Sequence, residues 1–272
     1  MQANRTWTPP TGPLGRLTVA AEQRASELEA RRGELERLVD AAPYRPSFIG
    51  SLRRADVAIV AELKRKSPSK GTIDDSLDAG VQTTAYEHGG AAALSILTEP
   101  SEFGGSPEDI RMARLASSLP VLKKDFHVHS IQLLEAVGIG ASAALLIARA
   151  MSPERLRRMA DDAAALGLEV LVEVRTEDEL ALALAIEHGI IGVNSRDLET
   201  LVIDPTVTER LLARVPGDRV VVAESGVTGR ADVERFAAAG ADAVLVGSSI
   251  SASRDPAGAV ATLVGVPRTS RG

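Results

Sequence analysis

The sequence contains no cysteine, which removes disulfide scaffolds, thiolate nucleophiles and Cys-ligated metals and makes a reducing compartment compatible. Aromatic residues are only 3% of the chain, too few for a surface that stacks nucleic-acid bases or for an aromatic-rich protein interface. Positive charge is not in excess, because 31 Lys and Arg stand against 37 Asp and Glu for a net charge of -6. Such a balance gives no broad field to hold nucleic acid or an anionic membrane, while a local site still suffices for one small phosphate. No apolar run approaches the ~18 residues of a transmembrane helix, and the polar, proline-bearing stretch 1–15 lacks the apolar core of a signal peptide. The expectation is a cytoplasmic protein with neither a membrane nor a nucleic-acid partner. Histidine is scarce as well. Only His127 and His129 lie close together; no carboxylate follows at ligand spacing, so they read as a surface loop and no metal site is expected.

A chain of 272 residues is one large domain or two small ones, and the pattern decides between them. The segment Leu14 to Val39 is rich in Ala, Glu, Arg and Leu without proline, which predicts an amphipathic helix. Pro43 and Pro46 then break it. Beyond them, short apolar runs alternate with helical patterns such as Pro153 to Leu166. The runs are Val57 to Leu63, Ala92 to Leu97, Val121 to Lys124, Ala143 to Ala148, Glu169 to Val174, Ile190 to Val193, Val220 to Ala223 and Ala243 to Val246. Each is too short for a helix and lacks clean polar alternation, as expected of strands buried on both faces of a parallel sheet. Gly89-Gly90, Gly140, Gly167, Gly189 and Gly240 precede several of them, where a helix end must turn left-handed. Eight strand–helix units without a linker predict an α/β fold, one closed (β/α)8 TIM barrel preceded by an extra N-terminal helix. The domain expectation is a flexible segment 1–13, a barrel with its N-terminal helix over 14–265, and a flexible tail 266–272. An open doubly wound sheet is the alternative, with fewer strands and a nucleotide fingerprint near the first.

At the opposite ends of the runs sit polar groups, and in such a barrel these ends meet around one pocket. Glu62 and Lys64 are two apart and share a face, either as an ion pair closing the barrel mouth or as a catalytic pair. Lys124, with Lys123 facing the other way, is either a solvated loop lysine or one drawn into a desolvated pocket. In the pocket its pKa falls, and it serves as a general acid or a Schiff-base former. Phe126 shares the register of Lys124 and walls the same pocket. Glu173 lies four strands from Glu62, so the two carboxylates either flank a substrate or serve as loop ties. Asn194 and Arg196 are again two apart; they orient oxygens, unless Arg196 pairs with Asp197 or Glu199. The small residues of Ala223-Glu224-Ser225-Gly226 and Leu245-Val246-Gly247-Ser248 expose backbone N–H groups after strands seven and eight, the usual phosphate site of this barrel class.

The run Ile59-Val60-Ala61-Glu62-Leu63-Lys64-Arg65-Lys66-Ser67-Pro68-Ser69-Lys70-Gly71 resembles the first-strand signature of the indole-3-glycerol-phosphate synthase family. The resemblance continues through Ser95-Ile96-Leu97-Thr98-Glu99, Phe103-Gly104-Gly105-Ser106, Leu122-Lys123-Lys124-Asp125-Phe126, Leu171-Val172-Glu173-Val174, Gly192 to Leu198, Ala223 to Gly226 and Val246 to Ser248, and covers about Leu14 to Val264. It implies general acid/base closure of the ring of 1-(2-carboxyphenylamino)-1-deoxyribulose 5-phosphate, with loss of carbon dioxide and water, to give indole-3-glycerol phosphate. This is a carboxy-lyase step of tryptophan biosynthesis that uses no cofactor. The resemblance makes Lys124 the acid that protonates the substrate carbonyl, gives Glu62, Lys64 and Glu173 proton transfers, and has Asn194 orient the substrate. It implies that Ser67, Phe103, Phe126, Arg196, Glu224 and Leu245 contact the substrate, with Phe103 and Phe126 walling its aromatic ring, and that Ser225, Gly226, Gly247 and Ser248 cradle its phosphate. Arg175 departs from the family where a histidine is common, Glu187 to Ile191 looks a residue or two short, and Trp7 to Pro13 has no counterpart. The expected partner is a small phosphorylated substrate, taken up by a monomer or weak homodimer with room for a pathway-enzyme partner.

Two other readings compete. Phosphoribosylanthranilate isomerase chemistry needs a cysteine, which is absent, and a non-catalytic scaffold barrel would have lost Lys124 or Glu173, which are present. For the enzyme reading, Lys124→Ala is expected to lose turnover with stability nearly unchanged.

Overall fold

The computed structural model describes residues 7–69 and 71–271. Among them, eight parallel strands close into a barrel: β1 (Ala58–Leu63), β2 (Ala93–Leu97), β3 (Val121–Lys124), β4 (Ala143–Ile147), β5 (Glu169–Val174), β6 (Ile190–Asn194), β7 (Val221–Glu224) and β8 (Ala243–Val246). Their ends lie within one residue of the sequence expectation. Strand β1 pairs with β2 on one side and β8 on the other, which closes the ring.

The strands are mainly apolar because both faces are buried, and alternation sorts their apolar residues into two cores. Ala58, Val60, Leu122, Ala143, Leu145, Leu171, Ile190, Val222 and Ala243 point into the lumen. Ile59, Ala61, Leu63, Leu94, Ile96, Ala144, Leu146 and Val172 pack outward against the helices. The bottom of the lumen is filled by Phe48 and Leu52 of the short helix Phe48–Leu52, both fully buried. Burying each contributes roughly 1.5–3 kcal/mol. That helix is anchored by Glu169 at the start of β5, which accepts hydrogen bonds from Ser47 Oγ and Ile49 N at 2.7 Å each.

The expected single N-terminal helix is two, α1 (Gly12–Glu29) and α2 (Arg32–Asp40). Gly33, a poor helix former, lies in the first turn of α2, and the bend lets α2 follow the barrel wall. There it packs so tightly on the helix Ile131–Gly138 that a Cβ on Gly138 would stand 2.9 Å from that of Leu38. Of the glycines before strands, Gly140 and Gly240 are left-handed as expected, with φ of 89° and 96°, whereas Gly189 is not. Gly189 instead lets Ile186 and Val172 approach, at 3.3 Å from a Cβ placed there.

Both terminal segments make contacts with the barrel where they are described. Residues 1–6 of the expected flexible segment 1–13 lie outside the described residues. Thr11 N donates to Glu199 Oε1 at 2.9 Å, and Arg149 Nη1 donates to Thr8 O at 2.8 Å. Of the segment 266–272, expected to be flexible, Gly272 lies outside the described residues, while Arg268 and Arg271 each meet a different carboxylate oxygen of buried Asp242 at 2.8 Å.

Candidate active site

The residue parity that sends Val60, Leu122, Leu171, Ile190 and Val222 into the lumen also sends Glu62, Lys124, Glu173, Asn194 and Glu224 there, one pleat nearer the C-terminal mouth, or two in the case of Asn194. The hydrophobic lumen therefore ends in a layer of charge. Parallel register sets Asn194 level with Glu224, and Glu224 level with Leu245. These groups line a cavity of about 200 Å³ together with Lys64, Ser67, Phe103, Phe126, Arg196, Ser225, Gly226, Gly247 and Ser248, so every residue expected at the site from the sequence is brought to one place.

Lys124 lies at the centre. Its Nζ is 3.2 Å from Glu173 Oε2 and 3.1 Å from Glu224 Oε2. The sequence left Lys124 either as a solvated loop lysine or as a pocket lysine of lowered pKa; it lines the cavity, and its pKa moves the other way. Burial alone would lower the pKa, but Glu224, then Glu173 and Glu62, override it and raise it above the ordinary lysine value. Lys124 is therefore held as an ammonium that donates hydrogen bonds, and not as the free amine that Schiff-base formation needs. Glu224 answers it: burial is the larger influence and, despite the opposing pull of Lys124, pushes the carboxyl up to about 8. Its Oε1 is buried and without a hydrogen-bond partner among the described residues. Opposite, Lys64 Nζ donates to Glu62 Oε1 at 2.8 Å, so the ion-pair reading of these two holds geometrically, inside the cavity.

Asn194 Oδ1 accepts from Arg196 N at 2.9 Å, which leaves the amino group of Asn194 for a ligand. Arg196 does not pair with its sequence neighbours. Asp197 stands 3.5 Å from Arg175, and Glu199 is 2.9 Å from Arg149. Arg196 Nη1 instead donates to Leu201 O at 3.1 Å, and burial lowers its pKa. Arg175, the departure from the family pattern, also donates to Ser195 O at 2.7 Å and so braces this loop. After β7, Ser225 and Gly226 are both left-handed, with φ of 65° and 79°. A non-glycine residue in that region is uncommon and marks a backbone held for a purpose. Phe103 and Phe126 face each other with ring centroids 6.3 Å apart and planes tilted by 37°.

Several contributors had escaped sequence reasoning. A Cβ on Gly192 would stand 2.2 Å from Glu224 Oε1 and 2.5 Å from Leu171 Cδ2, so only glycine makes room for Glu224. A glycine inside a strand was the available signal. Gly247, read as a phosphate residue, has a second reason to be glycine: a Cβ there would stand 2.3 Å from Glu62 Oε1 and 2.9 Å from Lys64 Nζ. Behind the pair, Ser251 Oγ and Tyr86 Oη donate to Glu62 O at 2.9 and 3.3 Å; no sequence spacing could have joined them to it.

His127 is not in a surface loop. It is buried, with Nδ1 2.8 Å from Leu145 O, and burial followed by Lys123 pushes its pKa down to about 3. Among the described residues no three His, Cys, Asp or Glu side chains gather as a metal site, and no helix is long and apolar enough to cross a membrane.

Comparison with known proteins agrees with this geometry. The family model of indole-3-glycerol phosphate synthase matches residues 15–263. Indole-3-glycerol phosphate synthase 2 of Streptomyces coelicolor is 44% identical over 257 residues, covering 94% of this chain and 100% of that protein. The synthase of Nocardioides sp. is 44% identical, covering 92% and 95%, and that of Mycolicibacterium smegmatis 42%, covering 90% of each chain. Among solved structures, a mutant tryptophan synthase alpha-subunit from Pyrococcus furiosus is similar with a TM-score of 0.59 and 17% identity, over 78% of this chain and 99% of that one. The 3-hexulose-6-phosphate synthase of Salmonella typhimurium gives 0.60 and 15%, over 76% and 96%; at such identities both speak for the barrel alone. With a family match across nearly the whole barrel and relatives at 42–44% identity, the chain belongs to the indole-3-glycerol phosphate synthase family, enzymes that close the indole ring with loss of carbon dioxide in tryptophan biosynthesis.

Proposed function

We propose that Lys124 is the general acid of the ring closure, on the observation that its ammonium sits between Glu173 and Glu224 at the barrel mouth. The anilino ring carbon that bears the carboxylate attacks the substrate's ketone carbon, and the ketone oxygen takes the Lys124 proton as it becomes a hydroxyl. Glu173 and Glu224 hold the ammonium in place and keep it charged. Carbon dioxide then leaves with the C–C bond electrons passing into the ring system. In the last step a carboxylate removes a ring proton and the hydroxyl departs as water on a proton from the acid side. Glu62, Lys64 and Glu173 carry these transfers, since all three line the cavity with Lys124.

Phe103 and Phe126 receive the aryl ring, Leu245 completes its apolar side, Asn194 orients the substrate, and Arg196 and Ser67 hold its anionic groups. Ser225, Gly226, Gly247 and Ser248 supply the phosphate cradle, supported by the left-handed backbone at Ser225 and Gly226. We place the enzyme in the cytoplasm as a monomer or weak homodimer that takes a small phosphorylated substrate without a cofactor, with a pathway enzyme as a further partner. The test is to incubate purified protein with the carboxyphenylamino deoxyribulose phosphate and follow indole absorbance and fluorescence. Signal from the wild type that Lys124→Ala abolishes supports the reaction and its acid, whereas full signal from a folded Lys124→Ala removes Lys124 from that role.

A further inference from the structure

Beside the catalytic groups lies a second group of charges that the chemistry does not use, one of which, Asp125, also borders the cavity. Glu99 and Asp125 are buried, with 0% and 5% of their surface exposed. Each fixes the backbone of one phenylalanine. Glu99 Oε2 accepts from Phe103 N at 3.2 Å as it caps the short helix Pro100–Phe103, and Asp125 Oδ1 accepts from Phe126 N at 2.7 Å. The two acids face a shared cation, Arg24 of α1, with Nη1 3.6 Å from Glu99 Oε1 and Nη2 2.8 Å from Asp125 Oδ1. Thr98 Oγ1 donates to the other Asp125 oxygen at 2.7 Å, and Lys123 close by is taken by Glu135 at 2.5 Å. Arg24 is thus the cation that meets both acids. A guanidinium fork suits that task, because it offers separate donors in a fixed plane, whereas an ammonium is a single point charge. Two turns before it on α1, Leu17 lines the active-site cavity, so one helix touches the pocket and the clamp behind it.

We infer that Arg24 is a positioning residue: by holding Glu99 and Asp125 together it sets the spacing of Phe103 and Phe126, and so ties the N-terminal helix to recognition of the substrate's aryl ring. This rests on the assignment of the two phenylalanines as the walls of the aryl slot. Without Arg24 two neighbouring buried carboxylates repel each other, the backbone N–H groups they hold shift, and the ring contact is lost while the phosphate cradle across the barrel stays as it was.

The test is steady-state kinetics of Arg24→Met and Arg24→Lys on the full chain, with inorganic phosphate as a competing probe of the cradle. For Arg24→Met, KM should rise about 10-fold, the size of a lost aromatic contact, with kcat within about 3-fold and the inhibition constant of phosphate unchanged. Arg24→Lys, whose ammonium reaches one acid and not both, should give the same split at about 3-fold in KM. Should Arg24→Met not fold, the lysine variant decides. Wild-type KM in either folded variant overturns the inference. So does a parallel loss of phosphate inhibition, which marks a general loosening. Phe103→Leu and Phe126→Leu separate the two layers: unchanged KM in both removes the aryl slot and the inference with it, whereas raised KM there beside an unaffected Arg24→Met leaves the slot standing and overturns the inference alone.

Discussion

Lys124→Met is the substitution that loads the structure most directly. Methionine keeps the length of the side chain and removes its charge. In the wild type the ammonium stands 3.2 Å from Glu173 and 3.1 Å from Glu224, both almost fully buried. Its removal leaves two uncompensated acids in one small volume, and breaking a buried ion pair from one side costs about 3–5 kcal/mol. Stability should therefore fall by that order at pH 7.5, and not remain nearly unchanged as the sequence suggested. The protein has an escape, which is to bind a proton. A carboxyl whose pKa in the fold lies above its ordinary 4.5 holds a proton that the unfolded chain releases, so its contribution is full at acid pH and is lost as pH rises toward the raised value. One additional proton bound on folding changes stability by about 1.4 kcal/mol per pH unit. Because the wild-type Glu224 already binds one such proton over this range, the deficit of Lys124→Met should shrink only through a second proton bound by the pair of acids once the cation is gone, by at most about 2.7 kcal/mol between pH 7.5 and pH 5.5. Urea unfolding followed by far-UV circular dichroism at the two pH values measures this, and the same preparations give turnover, which should fall about 10²–10⁴-fold. A variant as stable as the wild type at pH 7.5, or a deficit that does not change with pH, would refute the account of Lys124 as a cation enclosed by acids.

Other expectations follow from single contacts. Glu224→Gln is neutral at every pH, whereas the wild-type carboxyl, pushed up to about 8, makes the fold less stable as pH rises from its ordinary value toward 8. The glutamine variant should gain on the wild type between pH 6 and pH 8, by at most about 1.4 kcal/mol per unit, and a constant difference in urea midpoints across that range would contradict the raised value. Gly247→Ala places a methyl 2.3 Å from Glu62 Oε1, so the Glu62–Lys64 pair must move. We expect kcat/KM to fall about 10–100-fold, as for a small displacement in an organised site, with little change in melting temperature, and full activity would show that the pair needs no fixed position. Deleting residues 268–272 removes both arginine contacts to Asp242 and leaves a buried acid unpaired, a loss of about 3–5 kcal/mol. Scanning calorimetry should show this as a melting point lower by about 6–20 °C, whereas an unshifted transition would mean that the tail is not a latch.

The chain order of apolar runs pointed to the barrel over an open sheet, because strands buried on both faces have to be short and apolar and eight strand–helix units suit a closed ring. Residue types at the strand ends were equally legible: Glu62, Lys64, Lys124, Glu173, Asn194 and Glu224 stand at lumen parity in the sequence and in the fold. Long-range contacts were not legible. Lys124 reads as a lysine of lowered pKa when only its own strand is considered, and becomes a fixed cation once β5 and β7 bring Glu173 and Glu224 within 3.2 Å. His127 looks like a loop residue until β4 supplies Leu145 O. Arg268 and Arg271 look free until Asp242 meets them, and Gly192 and Gly247 are ordinary small residues until the carboxylates they admit are placed. Periodicity carries which face a residue occupies. The sign of a pKa shift, the partner of a charge and the need for a glycine depend on distances between segments far apart in the chain, and only the closed barrel sets those.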